Sequence, residues 1–405
     1  MASNSNCYIY RGIDVSQKKD VNMLGFIAVG VMYFTIVLGA FIPISMPALF
    51  GINPLSIWIV ILLIYAYIAS ILPVQTLLQP RDFINAYQLL ITIALLIIGI
   101  IISHPPLVSP AFNPAPIGAP AMIPFLFIVI ACGAISGFHS LVSSGTSSKQ
   151  CDKESNSLFI GFGGMLLEGA LSVLVIIAIS AGLGLGLKTA DGEFLQGAAA
   201  FSHHYSSWAA ANGLQAKLGS FINGASNMIS TFGIPAKITT TIMGVFLVSF
   251  AATTLDSATR IQRYVVTEIS SACKIPYINK KHPATLIAVI SAFILAFCNG
   301  NGKGALTLWP LFGTVNQLLA ALALLVITIY LKKHKTNILY TFLPMLFMIF
   351  MTGWAMISNL RNFFSKNNWF LFSIGGAVLL LEIWMIIEGM IVLKKDNKEN
   401  TAQKL

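Results

Sequence analysis

Charge is the scarcest thing in this chain. Only 9% of its 405 residues are Asp, Glu, Lys or Arg, against about 25% in an average soluble domain. That scarcity excludes an ordinary water-soluble globule. Cysteine is rare as well, five in all. Cys7, Cys151 and Cys273 fall outside the apolar runs, and Cys132 and Cys298 fall within them. No disulfide framework is implied. The chain carries no nucleotide-binding loop, no H-E-x-x-H pair, no G-x-S-x-G elbow and no nucleic-acid signature. Those absences argue against an ATP-driven pump, a zinc hydrolase and a nucleic-acid partner. No secretory signal is recognisable: residues 1–22 are polar, and the next apolar run is too long and lacks an A-x-A-type site.

Hydrophobic sequence is what remains: 56% of residues, with a mean hydropathy of +0.81. A spanning helix needs about 20 mainly apolar residues. Ten segments qualify: 23–47, 54–73, 84–102, 121–142, 157–187, 236–257, 284–300, 305–331, 338–359 and 369–393. The expectation is an all-α polytopic membrane helix bundle of about ten transmembrane helices. A polar leader takes 1–22, the transmembrane domain 23–393 and a polar tail 394–405, expected to lack structure from Asp396.

Lys and Arg set the orientation of such a bundle. Eighteen of the 24 fall in alternate segments, beginning with the N-terminus. The other six are Lys188, Lys217, Lys237, Lys303, Arg361 and Lys366. Both termini are therefore expected on the cytoplasmic side, and the net charge of +10 is assigned to topology and the lipid bilayer. The long connection 188–235 falls outside. Within it Leu214, Leu218, Phe221, Ile222, Ala225, Ile229 and Phe232 follow helical spacing, while Lys217, Ser220, Asn223 and Asn227 share the other face. This predicts an amphipathic helix lying on the outer surface or dipping into it. His203 and His204 precede it without other ligands at metal-binding spacing, so no metal site is expected.

Ionisable groups within a span are costly and are functional candidates by default. His139, Glu168, Asp256 and Glu382 are the four. Glu168 lies roughly 17 Å into its span at 1.5 Å per residue. Its neighbours Gly161, Gly163, Gly164 and Gly169 permit close helix approach. His139 and Asp256 share a depth near the cytoplasmic ends of two inward-running helices. They are expected to form one polar cluster with Ser143 and Thr254.

The stretch "CGAISGFHSLVSSGTSSKQ" from Cys132 interrupts an apolar run with glycine, hydroxyls and one histidine. Backbone released from helical bonding at membrane depth must line a cavity or be buried in protein. Ser136, His139, Ser143, Ser144 and Thr146 are thus candidates for a substrate or ion pathway. The alternative is a serine-rich loop after an ordinary helix. "TLWPLFGTVNQLLAAL" from Thr307 offers a second break at Pro310 and Gly313, with Asn316 and Gln317 near mid-span as pathway residues or as helix glue. "FAATTLDSATRIQRY" from Phe250 supplies Thr253, Thr254 and Asp256. Asp256 is either an ion or proton ligand or the N-cap of a helix 257–272. Arg81 and Asp82 follow Pro80 at a turn and suit an ion pair or gate.

Five stretches together resemble the carbon starvation protein A family, in the same order: "LPVQTLLQPRDFINAYQ", "ACGAISGFHSLVSSGTSSKQ", "GGMLLEGALSVLV", "AATTLDSATRIQRYVVTE" and "LWPLFGTVNQLLAALAL". The resemblance covers roughly 55–330. It implies a multi-pass bacterial inner-membrane transporter related to the amino acid–polyamine–organocation superfamily, with discontinuous helices. It implies uptake of a small solute, a peptide or pyruvate, under carbon starvation, driven by a proton or sodium gradient and without an organic cofactor. Family members also begin with extra helices, among them a glycine- and proline-rich first helix at the substrate site. Nothing before Asn22 resembles these, so a shortened product or a second chain supplying the missing helices is expected. Two other readings stay open: a non-transporting membrane subunit or sensor, and an intramembrane hydrolase built on His139 with Ser143 or Ser144.

Overall fold

A backbone in hydrocarbon has no water to bond to, so long apolar runs become helices. The structure is a computed structural model and describes residues 18–44, 46–48, 51, 53–113, 116–189, 191–211, 213–300 and 302–402. Most of the polar leader lies outside the described residues. The helices are α1 (Lys18–Phe41), α2 (Pro54–Ile71), α3 (Val74–Ser103), α4 (Met122–Ala134), α5 (Gly137–Gly145), α6 (Ser157–Ser180), α7 (Gly197–His204), α8 (Trp208–Ala211), α9 (Leu214–Ser230), α10 (Ala236–Ala272), α11 (Lys281–Phe297), α12 (Trp309–Lys333), α13 (Leu339–Ser365) and α14 (Trp369–Ala402). Two-residue strands at Leu187–Lys188 and Phe194–Leu195 pair antiparallel. The molecule is an all-α multi-pass membrane bundle.

Among the described residues, eight helices are long and apolar enough to cross a membrane: α1, α2, α3, α6, α10, α12, α13 and α14. The other two expected spans take different forms. Segment 121–142 is split into α4 and α5, and segment 284–300 is the 17-residue α11. α10 runs unbroken for 37 residues, about 55 Å, well beyond a 30 Å hydrocarbon core. It therefore projects past the membrane, and Asp256 lies inside it rather than capping a helix at 257.

Three more expectations are corrected. Pro310 does not break α12; it sits in the first turn, where its missing N–H would have had no partner anyway. Gly313 is ordinary helix there. Arg81 and Asp82 belong to α3 and not to a turn; the turn is at Leu72–Pro73, and α3 accommodates Pro80. The tail from Asp396 continues α14 as far as Ala402, since no Gly or Pro intervenes to end it.

α9 takes the second of its two expected forms: its first turn is largely exposed, and from Ser220 it dips into the bundle, packing against α3, α6 and α10. Phe221, Ala225, Met228 and Ile229 join Leu96, Ala178, Met243 and Phe246 in the main core. The approach is close enough that a Cβ on Gly224 would collide with the Ala178 carbonyl. Its polar face is used as well. Asn227 donates to the carbonyls of Gly182 and Gly186 at 3.0 and 2.7 Å. Ser226 hydrogen-bonds Thr239 and Thr240 at 2.6 and 2.9 Å. A second core, Leu311, Met356, Phe363 and Leu371, joins α12, α13 and α14.

Candidate functional site

The site begins where α4 stops. Ile135 and Ser136 leave the helix, with Ser136 extended at φ −108° and ψ 134°, and α5 restarts at Gly137. Such a break frees backbone groups that must find partners. Two amides on α12 supply them. Asn316 accepts from the Phe138 N–H at 2.8 Å and donates to Ser136 Oγ at 3.0 Å. In the amide orientation that satisfies both its ends, Gln317 donates to the Ile135 carbonyl at 2.7 Å and accepts from the Cys132 N–H at 2.9 Å. Both amides are buried. Gly137 makes this possible, since a Cβ there would collide with the Asn316 carbonyl. The two motifs that look separate in the sequence are thus one device: a broken helix and the amides that hold it open.

The break lines an open cavity of about 480 Å³ between α4, α5, α6 and α12. Its polar groups are Ser136, His139, Ser140, Ser143 and Glu168, set among apolar side chains such as Met165 and Leu324. Glu168 is half-buried. Among the described residues its carboxylate forms no ion pair or hydrogen bond within the protein. Gly161 and Gly164 leave its wall free of side chains. The hydroxyls bond their own helix: Ser140 to the Gly137 carbonyl at 2.6 Å, Ser143 to Ser140 at 2.9 Å and Ser144 to Leu141 at 3.2 Å. Their oxygens remain able to accept. Thr146 is buried at the end of α5, and among the described residues its hydroxyl has no partner.

Asp256 is elsewhere. Fully buried, it pairs with Arg81, and Tyr65 donates to the same oxygen at 3.4 Å. Arg81 also donates to Tyr65 at 3.2 Å and pairs with exposed Asp82 at 2.9 Å. Three helices, α2, α3 and α10, are tied at this point. Arg260 and Arg263 lie four and seven residues further along α10, on the same face. Arg260 donates to the carbonyls of Ala69 and Leu72, and Arg263 to that of Ser70, closing the C-terminus of α2. Arg81 and Asp82 thus serve as the ion pair the sequence suggested, with Asp256 added.

The expected cluster of His139, Ser143, Thr254 and Asp256 does not form. Among the described residues no hydrogen bond or ion pair joins His139 to Asp256. Thr253 and Thr254 both donate to the Phe250 carbonyl, at 2.7 and 3.1 Å. A similar count along two helices does not make their side chains neighbours: Asp256 pairs with Arg81, and His139 lines the cavity. Glu382 lies in a third place, buried between α13 and α14, where Thr352 donates to it at 3.1 Å. Tyr65 and Ser140 are the residues sequence reasoning missed. Ser140 lay inside the quoted motif; nothing in linear spacing marks Tyr65. His204 bonds the Ala216 carbonyl at 3.1 Å. Among the described residues, no group of three His, Cys, Asp or Glu side chains could hold a metal ion.

Asn316→Leu keeps the size of the side chain but strands the Phe138 N–H. It is expected to destabilise the protein by about 1–3 kcal/mol. Thermal unfolding in detergent measures this. Ser143→Ala, which removes only a bond within its own helix turn, should fall within about 0.5 kcal/mol of the parent.

A broken helix held by buried amides and opening on a polar cavity, within a bundle that has eight membrane-length helices among the described residues, defines a polytopic membrane protein with an interrupted-helix site. The chain belongs to the carbon starvation protein CstA family, whose model matches residues 6–355. It is similar to the Peptide transporter CstA of Mycobacterium tuberculosis H37Rv, 30% identical over 387 residues, covering 84% of this chain and 50% of that one. It is also similar to the Peptide transporter CstA of Escherichia coli K12, 31% identical with 67% and 44% covered. The Pyruvate/proton symporter BtsT of the same organism is 30% identical, with 72% and 49% covered. The chain spans about half the length of these curated relatives. No solved structure matches it.

Proposed function

We propose that this chain forms the membrane core of a secondary active transporter that takes up peptides or pyruvate during carbon starvation, with a proton as the coupling ion. One observation carries the reading: the cavity beside the α4–α5 break presents an unpaired carboxylate, Glu168, next to His139 and three serine hydroxyls. Interrupted helices that place backbone and polar side chains around a mid-membrane cavity suit solute binding. The names of the relatives supply the solute classes, and a glutamate open to the cavity favours a proton over sodium as the coupling ion. A further helical segment, contributed by a second chain, belongs to this reading. Residues 157–162 of α6 are exposed in an unbroken run, Phe159 by 82%, which leaves room for one.

The bundle is placed in the bacterial inner membrane with both termini cytoplasmic, on the strength of the Lys and Arg bias. Cysteines introduced between 191 and 211 should then react with an impermeant thiol reagent from the periplasmic side. Labelling from the cytoplasm alone would reverse the orientation.

The functional test is uptake by proteoliposomes under an imposed proton gradient. Accumulation of radiolabelled pyruvate or of a dipeptide, abolished by a protonophore, is the expected result. Binding without accumulation would favour the runner-up reading, a non-transporting subunit or sensor. Neither binding nor accumulation of either solute would overturn the proposal.

A further inference from the structure

Two arginines on α10 are buried with no acid to answer them. Arg260 is 4% exposed and Arg263 5%. Among the described residues neither forms an ion pair, because the nearby Asp256 is taken by Arg81. Their partners are the carbonyls of Ala69, Ser70 and Leu72, together with the neutral phenol of Tyr264, which both arginines approach. A helix C-terminus offers only about half a negative charge, so two full positive charges are under-compensated. Donors are left over too. Among the described residues Arg260 Nε is buried without a partner, as is the Ser70 hydroxyl on the α2 residue whose carbonyl Arg263 holds. A guanidinium has five N–H donors, and among the described residues the Ser70 carbonyl and the Tyr264 hydroxyl do not occupy all of those of Arg263.

More positive charge surrounds the pair. Arg263 Cζ lies 4.8 Å and Lys149 Nζ 4.9 Å from the centre of the Tyr264 ring. Both cations therefore sit within about one screening length of each other, about 10 Å. Lys281 opens α11 beside α2, since the next residue, His282, lies 3.2 Å from the Tyr67 hydroxyl of α2, and it feels the charges of Arg263 and Arg260. Lys149 and Lys281 are exposed and form no ion pair among the described residues. Arg260 is the 25th residue of α10, about 36 Å along its axis and so level with the headgroups beyond a 30 Å core.

We infer that Arg260, Arg263, Lys149 and Lys281 form a binding site for a phosphate oxyanion, supplied at this depth by the headgroup of an anionic phospholipid. Buried guanidinium and hydroxyl donors hold the oxyanion, and the two exposed lysines draw it in. Fork-shaped guanidinium donors match phosphate oxygens geometrically. Occupation ties the segment after the broken helix, which carries Lys149, to α2 and α10. The inference is independent of whether the chain transports a solute.

The test uses the purified chain in a neutral detergent, titrated with short-chain phosphatidylglycerol, with phosphatidylcholine or with inorganic phosphate, and followed by thermal unfolding. Phosphatidylglycerol should raise the midpoint saturably and phosphatidylcholine should not. Lys149→Gln/Lys281→Gln, two exposed changes that leave the fold intact, should weaken the response about tenfold, the equivalent of 1.4 kcal/mol. Arg263→Gln, which retains a donor for the Ser70 carbonyl, should weaken it further. If millimolar inorganic phosphate reproduces the shift, the oxyanion site stands and its ligand is soluble. An equal response to both lipids, or an undiminished response in the variants, overturns the site.

Discussion

Arg81→Gln is expected to destabilise the folded bundle by about 3–5 kcal/mol, because it strands a charge at full burial. Asp256 has no exposed surface, and among the described residues its second oxygen lacks a partner. Arg81 is its only ion-pair partner among the described residues. Tyr65, the other contact, donates to it at 3.4 Å, too long to replace a full charge. The expected signature is a low yield of folded protein and an early unfolding midpoint. The double variant Arg81→Gln/Asp256→Asn removes the stranded charge along with the pair. It should recover most of the loss, since neutral replacement of a buried pair is often close to neutral in stability. Equal damage in the single and double variants would show that the pair contributes nothing beyond the space it fills. Asp82→Asn is the control. Asp82 is exposed by 53% on its side chain, and surface ion pairs contribute about 0–1 kcal/mol.

Much of this arrangement is legible in the sequence, and the limits are physical. Hydropathy alone marks the spans, because lipid leaves the backbone no choice but to satisfy itself. The break at Ile135–Ser136 is legible because glycine and serine replace bulk inside an apolar run. Its partners are not. Asn316 lies 180 residues from Ser136, and tertiary packing alone brings them together. Position along a helix can be counted too, and it suggested one level for Asp256 and His139. The direction each side chain takes depends on which helices are neighbours, so Asp256 went to Arg81 and His139 to the cavity. Which of its two expected forms α9 takes is illegible for a related reason. A polar stripe of Ser220, Asn223 and Asn227 suits water, but it equally suits buried carbonyls such as those of Gly182 and Gly186, and the pattern is the same in both cases.

The second large effect is at Glu168. Glu168→Gln keeps the shape of the side chain and its capacity to hydrogen-bond, but the amide cannot carry a proton. Because Glu168 is half-buried and borders the cavity rather than a packed core, the change should leave folding within about 0.5 kcal/mol of the parent. Solute binding should survive as well, since the serine hydroxyls and the broken backbone are untouched. Coupling should not survive. The variant is expected to exchange labelled for unlabelled solute across a membrane while losing accumulation against a gradient. A fault in the fold would remove both.

The most direct measurement is therefore a paired one on proteoliposomes matched for folded protein: solute exchange at equilibrium, and accumulation driven by a proton gradient, for the parent chain and Glu168→Gln. With the α4–α5 cavity as the coupled pathway, exchange stays near the parental level and accumulation falls to that seen with a protonophore. Parental accumulation in Glu168→Gln would remove the carboxylate from the coupling step and leave the cavity without its proton carrier.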